Sequence, residues 1–478
     1  MKPRASTVHR LLALACALAL LMSQAAGARA MTLEEERKIG RRAFREVMAQ
    51  LPQVKDPDVL GYVRGLGRRL ASHLKDAPFA FKFYVADEPE FNAFALPGGY
   101  IFLFRGLITE MHSEAELAGV MAHEMAHVHH RHLAEMVRRS GPVTAAAIAG
   151  MIAGMLLGTV AGVPQLGQAV TIGSAAGGLQ KQLAYSREQE AQADYQAFRL
   201  LMAAHYPPEE MARSFRRIWR QERYTMPQVP GYLLTHPTSP ERLERLEALV
   251  KRHPHPPFPY DNHRFLRIRT RLIALYDTPD TARRRLLNLQ KQPGRAQLAL
   301  YGLALLAMRE GRFDLALKRF ARLTGRWSED ATVLRDRGIC HLRLGQYARA
   351  RRLLRRALAL TPKDDEALLA LGQSYLQGDE LVQAVDSLRR LVARDPDNDQ
   401  AQYDLGVALG RLGRTAEASL HLGLAFKARG NRRAARYHLQ RAVAGLAGRP
   451  ELQAQARKAL KELDKKSPAH GREGNPRS

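Results

Sequence analysis

Apolar and polar residues follow two different periods in the first part of this chain. Apolar residues recur at helical intervals from residue 32 to about residue 75, and Thr32 and Glu35 have the spacing of a helix-capping pair. Alternation from Phe79 to Val85 predicts a half-buried strand, and the aromatic-rich run from Tyr100 to Phe104 predicts another. A small β-sheet among helices is therefore expected.

Helical patterns resume after these strands. Ser113 and Glu116 repeat the capping spacing and begin a helix that is expected to continue to about Arg139. Residues 184–204 and 208–223 predict two further helices, and prolines stand at the start of the second. The Pro-rich stretch at 254–259 then predicts a linker.

Beyond this linker the sequence repeats every 34 residues. The recurring positions are Ala316, Ala350, Ala384 and Ala418, then Gly338, Gly372 and Gly406, and Pro362 with Pro396. Small residues at this period allow paired helices to approach closely, a pattern typical of tetratricopeptide repeats. Four repeats fit between residues 297 and 430, and further helices at about 263–290 and 431–464 are expected to cap them.

The first thirty residues have the order of a secretory signal peptide. Lys2, Arg4 and Arg10 precede an uncharged apolar run, and small residues follow up to Ala28-Arg29-Ala30. The apolar run is shorter than the roughly 20 residues of a spanning helix. We expect cleavage after Ala30 and export.

The chain has 478 residues and a formal net charge of +27, with basic runs such as Arg351-Arg352 in its C-terminal half. For an exported protein such a surface favours lipid or lipopolysaccharide headgroups and acidic proteins, and hence peripheral membrane association. The alternative is that the proteome is generally basic and these arginine side chains are only solvated, and it explains the charge equally well. No nucleic-acid-binding motif accompanies it, so we expect no nucleic-acid partner.

A metal-binding pattern, His-Glu-Met-Ala-His, lies at residues 123–127 inside a predicted helix. His123 and His127 are four residues apart, so both imidazoles project from one helix face toward a single metal ion. Glu124 would lie beside the metal and take a proton from metal-bound water. Chance alone produces such a pattern in roughly a few per cent of chains of this length. The pattern therefore needs support from its surroundings.

A catalytic zinc site keeps three protein ligands and one open position, so a third ligand is expected from a later element. Glu190, in the predicted helix at 184–204, is the best candidate, although taken alone it reads as an exposed helical acid. Asp194, one turn further on, would face the same way and fix the tautomer of a ligand histidine. His129, His130 and His132 are expected to be solvated or to support the ligands indirectly, and no second metal is expected.

These residues together resemble a known family. The His-Glu-Met-Ala-His pattern, Glu190-Ala191-Gln192-Ala193-Asp194 and the segment 92–99 are similar to the zinc endopeptidases related to the prenyl-protein and heat-shock membrane proteases. The resemblance implies one zinc ion per chain, held by His123, His127 and Glu190, with Glu124 as general base. It also implies that the strand Tyr100 to Phe104 borders the cleft, where its edge could pair with an extended substrate.

The same family has a histidine in a His-Pro context after the third ligand. His236 matches it within Thr235-His236-Pro237, and Arg242, expected to support the ligands, follows. The resemblance implies that His236 either stabilises the oxyanion or occupies the open zinc position and holds the peptidase silent. A surface-loop histidine is the alternative.

An uncharged segment at 141–180 contains an apolar stretch of 21 residues, Val143 to Val163. Its length alone permits a transmembrane helix. Its alanines and glycines favour a lid or hairpin packed near the active site, with contact at the membrane interface as an intermediate.

Taken together, the sequence predicts a mainly α protein, in which a zincin-type α+β metallopeptidase domain with a small β-sheet precedes an α-solenoid of tetratricopeptide repeats. The expected divisions are a signal peptide (1–30), the peptidase domain (31–250), a Pro-rich linker (251–262), the repeat domain with flanking helices (263–464) and a disordered tail (465–478). An exported member with such repeats is similar to periplasmic metalloproteases and chaperones that serve outer-membrane protein assembly. The resemblance implies an endopeptidase that degrades or assists unfolded or misassembled outer-membrane proteins, and that contacts the assembly machinery through its repeats. A chaperone or binding scaffold with a mostly silent site, and a membrane-embedded protease, are the alternatives.

Overall fold

The chain divides into two units, residues 1–277 and 278–478, in a computed structural model that describes residues 31–139, 185–224, 232, 236 and 239–465. The predicted signal peptide, the apolar stretch at 143–163, Thr235, Pro237 and the tail from 466 lie outside the described residues. No helix in the described ranges is long and apolar enough to cross a membrane.

Two helices form where the first helical pattern runs, α1 (Leu33–Gln50) and α2 (Pro57–Ala71). Thr32 caps α1 as predicted, because its hydroxyl accepts from the Glu35 amide at 3.2 Å and the Glu35 carboxylate accepts from the Thr32 amide at 2.8 Å. The helical pattern is divided in two because a second helix begins after Asp56. The Asp56 carboxylate accepts hydrogen bonds from two backbone amides at the start of α2, and Pro57 is the first residue of that helix.

Three strands form one sheet in the order β1-β3-β2, with β1 at Lys82–Ala86, β2 at Ala93–Leu96 and β3 at Tyr100–Phe104. β3 pairs in parallel with β1 and antiparallel with β2. β2 was not predicted, because it is a run of only four residues, all of them buried. Because β3 is hydrogen-bonded on both edges, the expectation that its edge pairs with a substrate is wrong. Among the described residues, β2 pairs only with β3.

Seven further helices complete the described part of the first unit: α3 (Arg105–Glu110), α4 (Glu114–His129), α5 (His132–Arg139), α6 (Arg187–Ala203), α7 (Glu209–Tyr224), α8 (Pro240–Arg252) and α9 (His263–Tyr276). The predicted single helix from Ser113 to Arg139 is wrong, since Arg131 has a positive φ of 56° between α4 and α5. Tertiary contacts hold this break: Arg131 Nε donates to Glu36 at 2.7 Å and Nη2 donates to the Met31 carbonyl at 2.6 Å.

Helix α4 lies at the centre of the first unit. It packs against β2, β3, α2, α6 and α7, and its residues from Glu114 to Val128 are all buried. Ser113 caps it, accepting from the Glu116 amide at 3.1 Å. The buried Glu114 carboxylate at its start accepts from the hydroxyls of Tyr62 at 2.7 Å and Tyr206 at 2.5 Å. The metal-binding pattern thus lies on a buried helix whose N-terminal polar groups are hydrogen-bonded.

Helix α9 belongs to the first unit, whereas residues 263–276 were predicted to belong to the repeat domain. It packs against α2 and α3. Arg271 Nε donates to Asp56 at 2.6 Å, and Arg105 Nη1 donates to Asp277 at 2.5 Å, all four side chains being buried. These ion pairs tie the segment to the first unit, so the division falls after Asp277, later than predicted.

The second unit is an array of helices, as predicted. They are α10 (Pro279–Gln290), α11 (Ala296–Arg309), α12 (Phe313–Phe320), α13 (Ala331–Arg343), α14 (Tyr347–Leu360), α15 (Asp365–Gln377), α16 (Leu381–Arg394), α17 (Asp399–Arg411), α18 (Thr415–Ala428), α19 (Arg432–Gly445) and α20 (Pro450–Lys465). A Cβ at Gly338, Gly372 or Gly406 would lie 2.6 to 2.7 Å from a leucine of the paired helix. The recurring glycines therefore allow the paired helices to approach closely, because a larger residue would meet the facing leucine.

Candidate active site

Four side chains that can bind a metal come together in the first unit. His123 and His127 project from α4, Glu190 from α6, and His236 from the segment between α7 and α8. Each offers one ligand atom, these atoms all lie within 4.8 Å of one another, and all four residues are buried. The structure thus brings His236 to the three predicted ligands rather than to the protein surface.

Distances among these ligand atoms fit one small metal ion. His123 Nε2 lies 3.0 Å from His127 Nε2 and 3.3 Å from His236 Nδ1, and Glu190 Oε1 lies 2.9 Å from His236 Nδ1. The Glu190 oxygens lie 3.4 Å from His123 Nε2 and 3.5 Å from His127 Nε2. A tetrahedral zinc with bonds of about 2.0–2.1 Å has ligand atoms about 3.3 Å apart. The imidazole and carboxylate donors therefore fit zinc in both type and spacing.

Glu124 lies beside this cluster without joining it. Its side chain is buried, and neither carboxylate oxygen has a hydrogen-bond partner among the residues that the structure describes. His236 Nε2 lies 3.5 Å from Glu124 Oε1. Burial raises the pKa of the Glu124 carboxyl. A raised pKa and free lone pairs are what a proton-transferring carboxylate requires.

Asp194 and Arg242 contact two of these four side chains. Asp194 Oδ1 lies 3.0 Å from His123 Nδ1, which leaves Nε2 of this histidine facing the cluster. Arg242, near the start of α8, donates from Nε and Nη2 to the two Asp194 oxygens at 2.8 Å each, and its Nη1 lies 2.5 Å from Glu190 Oε2. Burial is the largest single influence and would raise the pKa of both carboxyls, but Arg242 and the neighbouring histidines together outweigh it, so the pKa of each is lowered. Glu190 therefore stays ionised, as a metal ligand must.

The second histidine of the pattern is contacted by His132, which takes the supporting role that was one of its two expected roles. His127 Nδ1 lies 2.9 Å from His132 Nδ1, and His132 Nε2 lies 2.9 Å from Gln192 Oε1. If His127 binds metal through Nε2, its Nδ1–H donates to His132, whose Nε2–H donates to Gln192. Burial lowers the pKa of His132 and so keeps it a neutral acceptor.

Tyr185 covers the same histidine, with ring centroids 3.9 Å apart. With Ala95, Leu96 and Pro97 of the β2 end, Tyr185 and His127 line a small cavity of about 10 Å³. The end of β2 is thus close to His127. His129 and His130 lie outside the four-residue cluster, as expected.

Comparison with known proteins supports both parts of the architecture. Residues 59–250 match the model of Peptidase family M48, and tetratricopeptide repeat models match residues 279–331, 301–365, 335–399 and 369–421. The chain therefore carries a peptidase family M48 domain followed by tetratricopeptide repeats, which confirms the predicted fold class.

Similar proteins include the putative beta-barrel assembly-enhancing protease of Vibrio cholerae, 34% identical over 52% of this chain and 50% of its own. The beta-barrel assembly-enhancing protease of Yersinia pestis is 29% identical over 71% of this chain and 70% of its own. The mitochondrial metalloendopeptidase OMA1 of Schizosaccharomyces pombe is 28% identical over 46% and 64%. The match thus spans half the length of the Vibrio relative. Among solved structures, MamA is 26% identical over 36% of this chain and 94% of its own, with a TM-score of 0.28.

Proposed function

We propose that this protein, whose residues 59–250 are a peptidase family M48 domain, is a zinc-dependent endopeptidase with Glu124 as its general base. The observation that carries the proposal is the buried, unpartnered carboxylate of Glu124 beside four metal-binding side chains at zinc spacing. A buried carboxylate without partners is costly in a purely structural role. Proton transfer at a metal site accounts for it.

The chemistry follows from this arrangement. When bound by His123, His127 and Glu190, zinc would supply positive charge that polarises the scissile carbonyl and the attacking water. Glu124 takes the proton of that water and passes it to the leaving amine, a cycle that its raised pKa favours near neutral pH. Asp194 and His132 each engage the Nδ1 side of one ligand histidine and so keep its Nε2 toward the metal.

His236 supports a closed resting state. Its Nδ1 lies among the other ligand atoms, 3.3 Å from His123 Nε2 and 2.9 Å from Glu190 Oε1, where a fourth zinc ligand belongs. A site with four protein ligands lacks the open position that catalysis needs. We infer that His236 must move before a substrate carbonyl can enter, and that the outer edge of β2, beside His127, then pairs with the extended substrate.

The relatives suggest a place and a set of partners. Two of them are named for beta-barrel assembly enhancement. We infer that this protein acts in the periplasm on unfolded or misassembled outer-membrane proteins, and that the repeat unit contacts the assembly machinery. A second role, as a binding scaffold with a mostly silent peptidase, is favoured by the position of His236.

The variant Glu124→Gln tests this proposal. Its matched control is Glu244→Gln, the same substitution at an exposed position of α8. Purified wild type and both variants would be compared for zinc content and for cleavage of an unfolded outer-membrane protein. We expect all three to hold one zinc per chain and only Glu124→Gln to lose cleavage. Cleavage at the wild-type rate by Glu124→Gln would refute the assignment of the base. Restoration of outer-membrane protein assembly by this variant, in cells that lack the protein, would instead favour the scaffold role.

A further inference from the structure

We propose that the repeat formed by α13 and α14 binds a phosphate-bearing anion through Arg337, His341, Arg349, Arg352 and Arg356. These five residues are called the basic cluster below. The proposal concerns the second unit alone and is independent of the peptidase chemistry.

The basic cluster departs from the packing of the repeats themselves. Residues at 34-residue spacing from Arg337 are Leu303, Leu371 and Leu405, all buried in the core. The counterparts of His341 are Ala307, Tyr375 and Leu409, which are buried too. An arginine and a histidine thus stand where the repeat otherwise requires apolar side chains. Departures from the rule of a fold are expected at functional sites.

Compensating acids are scarce around these positions. The sequence from residue 337 to residue 363 contains no acidic residue, whereas α14 alone contains five arginines. Two arginines of α14 have carboxylate partners from outside it, Arg351 with Glu380 and Arg356 with Glu329. Arg349 and His341 share a neutral partner instead: Gln346 Oε1 lies 3.3 Å from Arg349 Nη1 and 2.7 Å from His341 Nδ1. The amide oxygen links the two helices but does not neutralise their charge.

Arg337 is the innermost member of the basic cluster. It is half-buried, and its Nε atom is buried without a hydrogen-bond partner among the described residues. Burial and the nearby Arg356 lower the pKa of its guanidinium. Burial and the arginines at 349, 337 and 352 likewise lower the pKa of His341, although Gln346 opposes them. The cations therefore crowd one another, and a bound anion would relieve their repulsion.

Phosphate matches this arrangement in charge and geometry. Guanidinium groups bind phosphate oxygens through paired N–H donors, and a phosphate offers more oxygens and more charge than a carboxylate. Half-buried Arg337 with exposed Arg349 and Arg352 suits a group that enters from the surface. A lipid headgroup and a free phosphate share this chemistry.

Binding by the full chain to inorganic phosphate, measured by calorimetry, and to vesicles, measured by co-sedimentation, distinguishes the two sources. The vesicles are phosphatidylcholine alone or phosphatidylcholine with phosphatidylglycerol, at low salt. An arginine near an anionic surface contributes about fivefold in affinity, so Arg349→Gln with Arg352→Gln should weaken binding by roughly 25-fold. The matched control is Arg390→Gln with Arg433→Gln, which removes the same charge from exposed positions of other helices.

Arg337→Leu distinguishes a loss of binding from a loss of folding, because leucine occupies the equivalent position in the other repeats and should pack there. We expect it to weaken binding by at least fivefold with no loss of thermal stability. Binding of inorganic phosphate would assign the site to a free phosphate, and binding of phosphatidylglycerol vesicles alone would assign it to a lipid surface. The proposal is overturned if neither probe binds, if an oligoglutamate peptide binds instead, or if the cluster and control variants lose binding equally. Unchanged binding by Arg337→Leu would also overturn it.

Discussion

Arg242→Leu should destabilise the first unit, and zinc should restore part of the loss. Arg242 is buried and pairs with both Asp194 and Glu190. Leucine fills part of its volume but leaves two buried carboxylates without their cation. Removing one partner of a buried ion pair costs about 3–5 kcal/mol. For a unit of this size each kcal/mol lowers Tm by about 2–4 °C, so we expect a fall of roughly 6–20 °C without metal.

A bound zinc ion would replace the missing positive charge next to Glu190, so the same variant should lose less stability when zinc is present. Arg271→Leu is the matched control, because Arg271 is equally buried and pairs with Asp56 away from the metal-binding cluster. Thermal unfolding followed by circular dichroism, in chelator and in excess zinc, compares the two variants. Equal losses under both conditions for Arg242→Leu, as expected for Arg271→Leu, would refute the reasoning.

His132→Phe should weaken zinc binding by about 10- to 100-fold in a chelator competition, since His127 loses its Nδ1 acceptor; unchanged affinity would remove His132 from the site. Gly40→Ala should lower Tm, because its Cβ would lie 1.9 Å from a backbone carbonyl oxygen, whereas Gly61→Ala, in open space, should not. Burial lowers the pKa of His421 to about 4. Between this value and the unfolded pKa of about 6.5, the unfolded chain binds a proton that the folded chain does not. The free energy of unfolding therefore falls as the pH is lowered from about 6.5 toward 4. Unfolding at pH 7 and pH 5 should therefore show a smaller acid loss for His421→Gln, and an equal loss would contradict the assignment.

The sequence predicted the parts of the fold that depend on local period. Helical spacing placed His123 with His127 and Glu190 with Asp194, and in each case the structure puts both side chains of the pair at the metal-binding cluster. The 34-residue period of Gly338 and its counterparts predicted the repeats, because each glycine faces a leucine of the paired helix.

The parts that depend on long-range contacts were missed. The break between α4 and α5 requires Arg131 to reach Glu36, 95 residues earlier, and no local pattern encodes that contact. His132 reaches His127 only because of this break, since residues five apart on one helix do not share a face. The central position of β3 depends on β2, a strand too short to give a reliable alternation. A Pro-rich stretch suggested the domain boundary, but the buried ion pair of Arg271 moves it to a later position.

The most direct test of the account is the cleavage rate of His236→Ala relative to wild type, at equal zinc content and on the same unfolded outer-membrane protein. His236 Nδ1 lies 3.3 Å from His123 Nε2, at the place of a fourth ligand. If the imidazole closes the site at rest, its removal leaves three ligands and an open position, and cleavage should become faster while one zinc per chain is retained. Slower cleavage with zinc retained would contradict a closed resting site and make His236 part of the catalytic machinery.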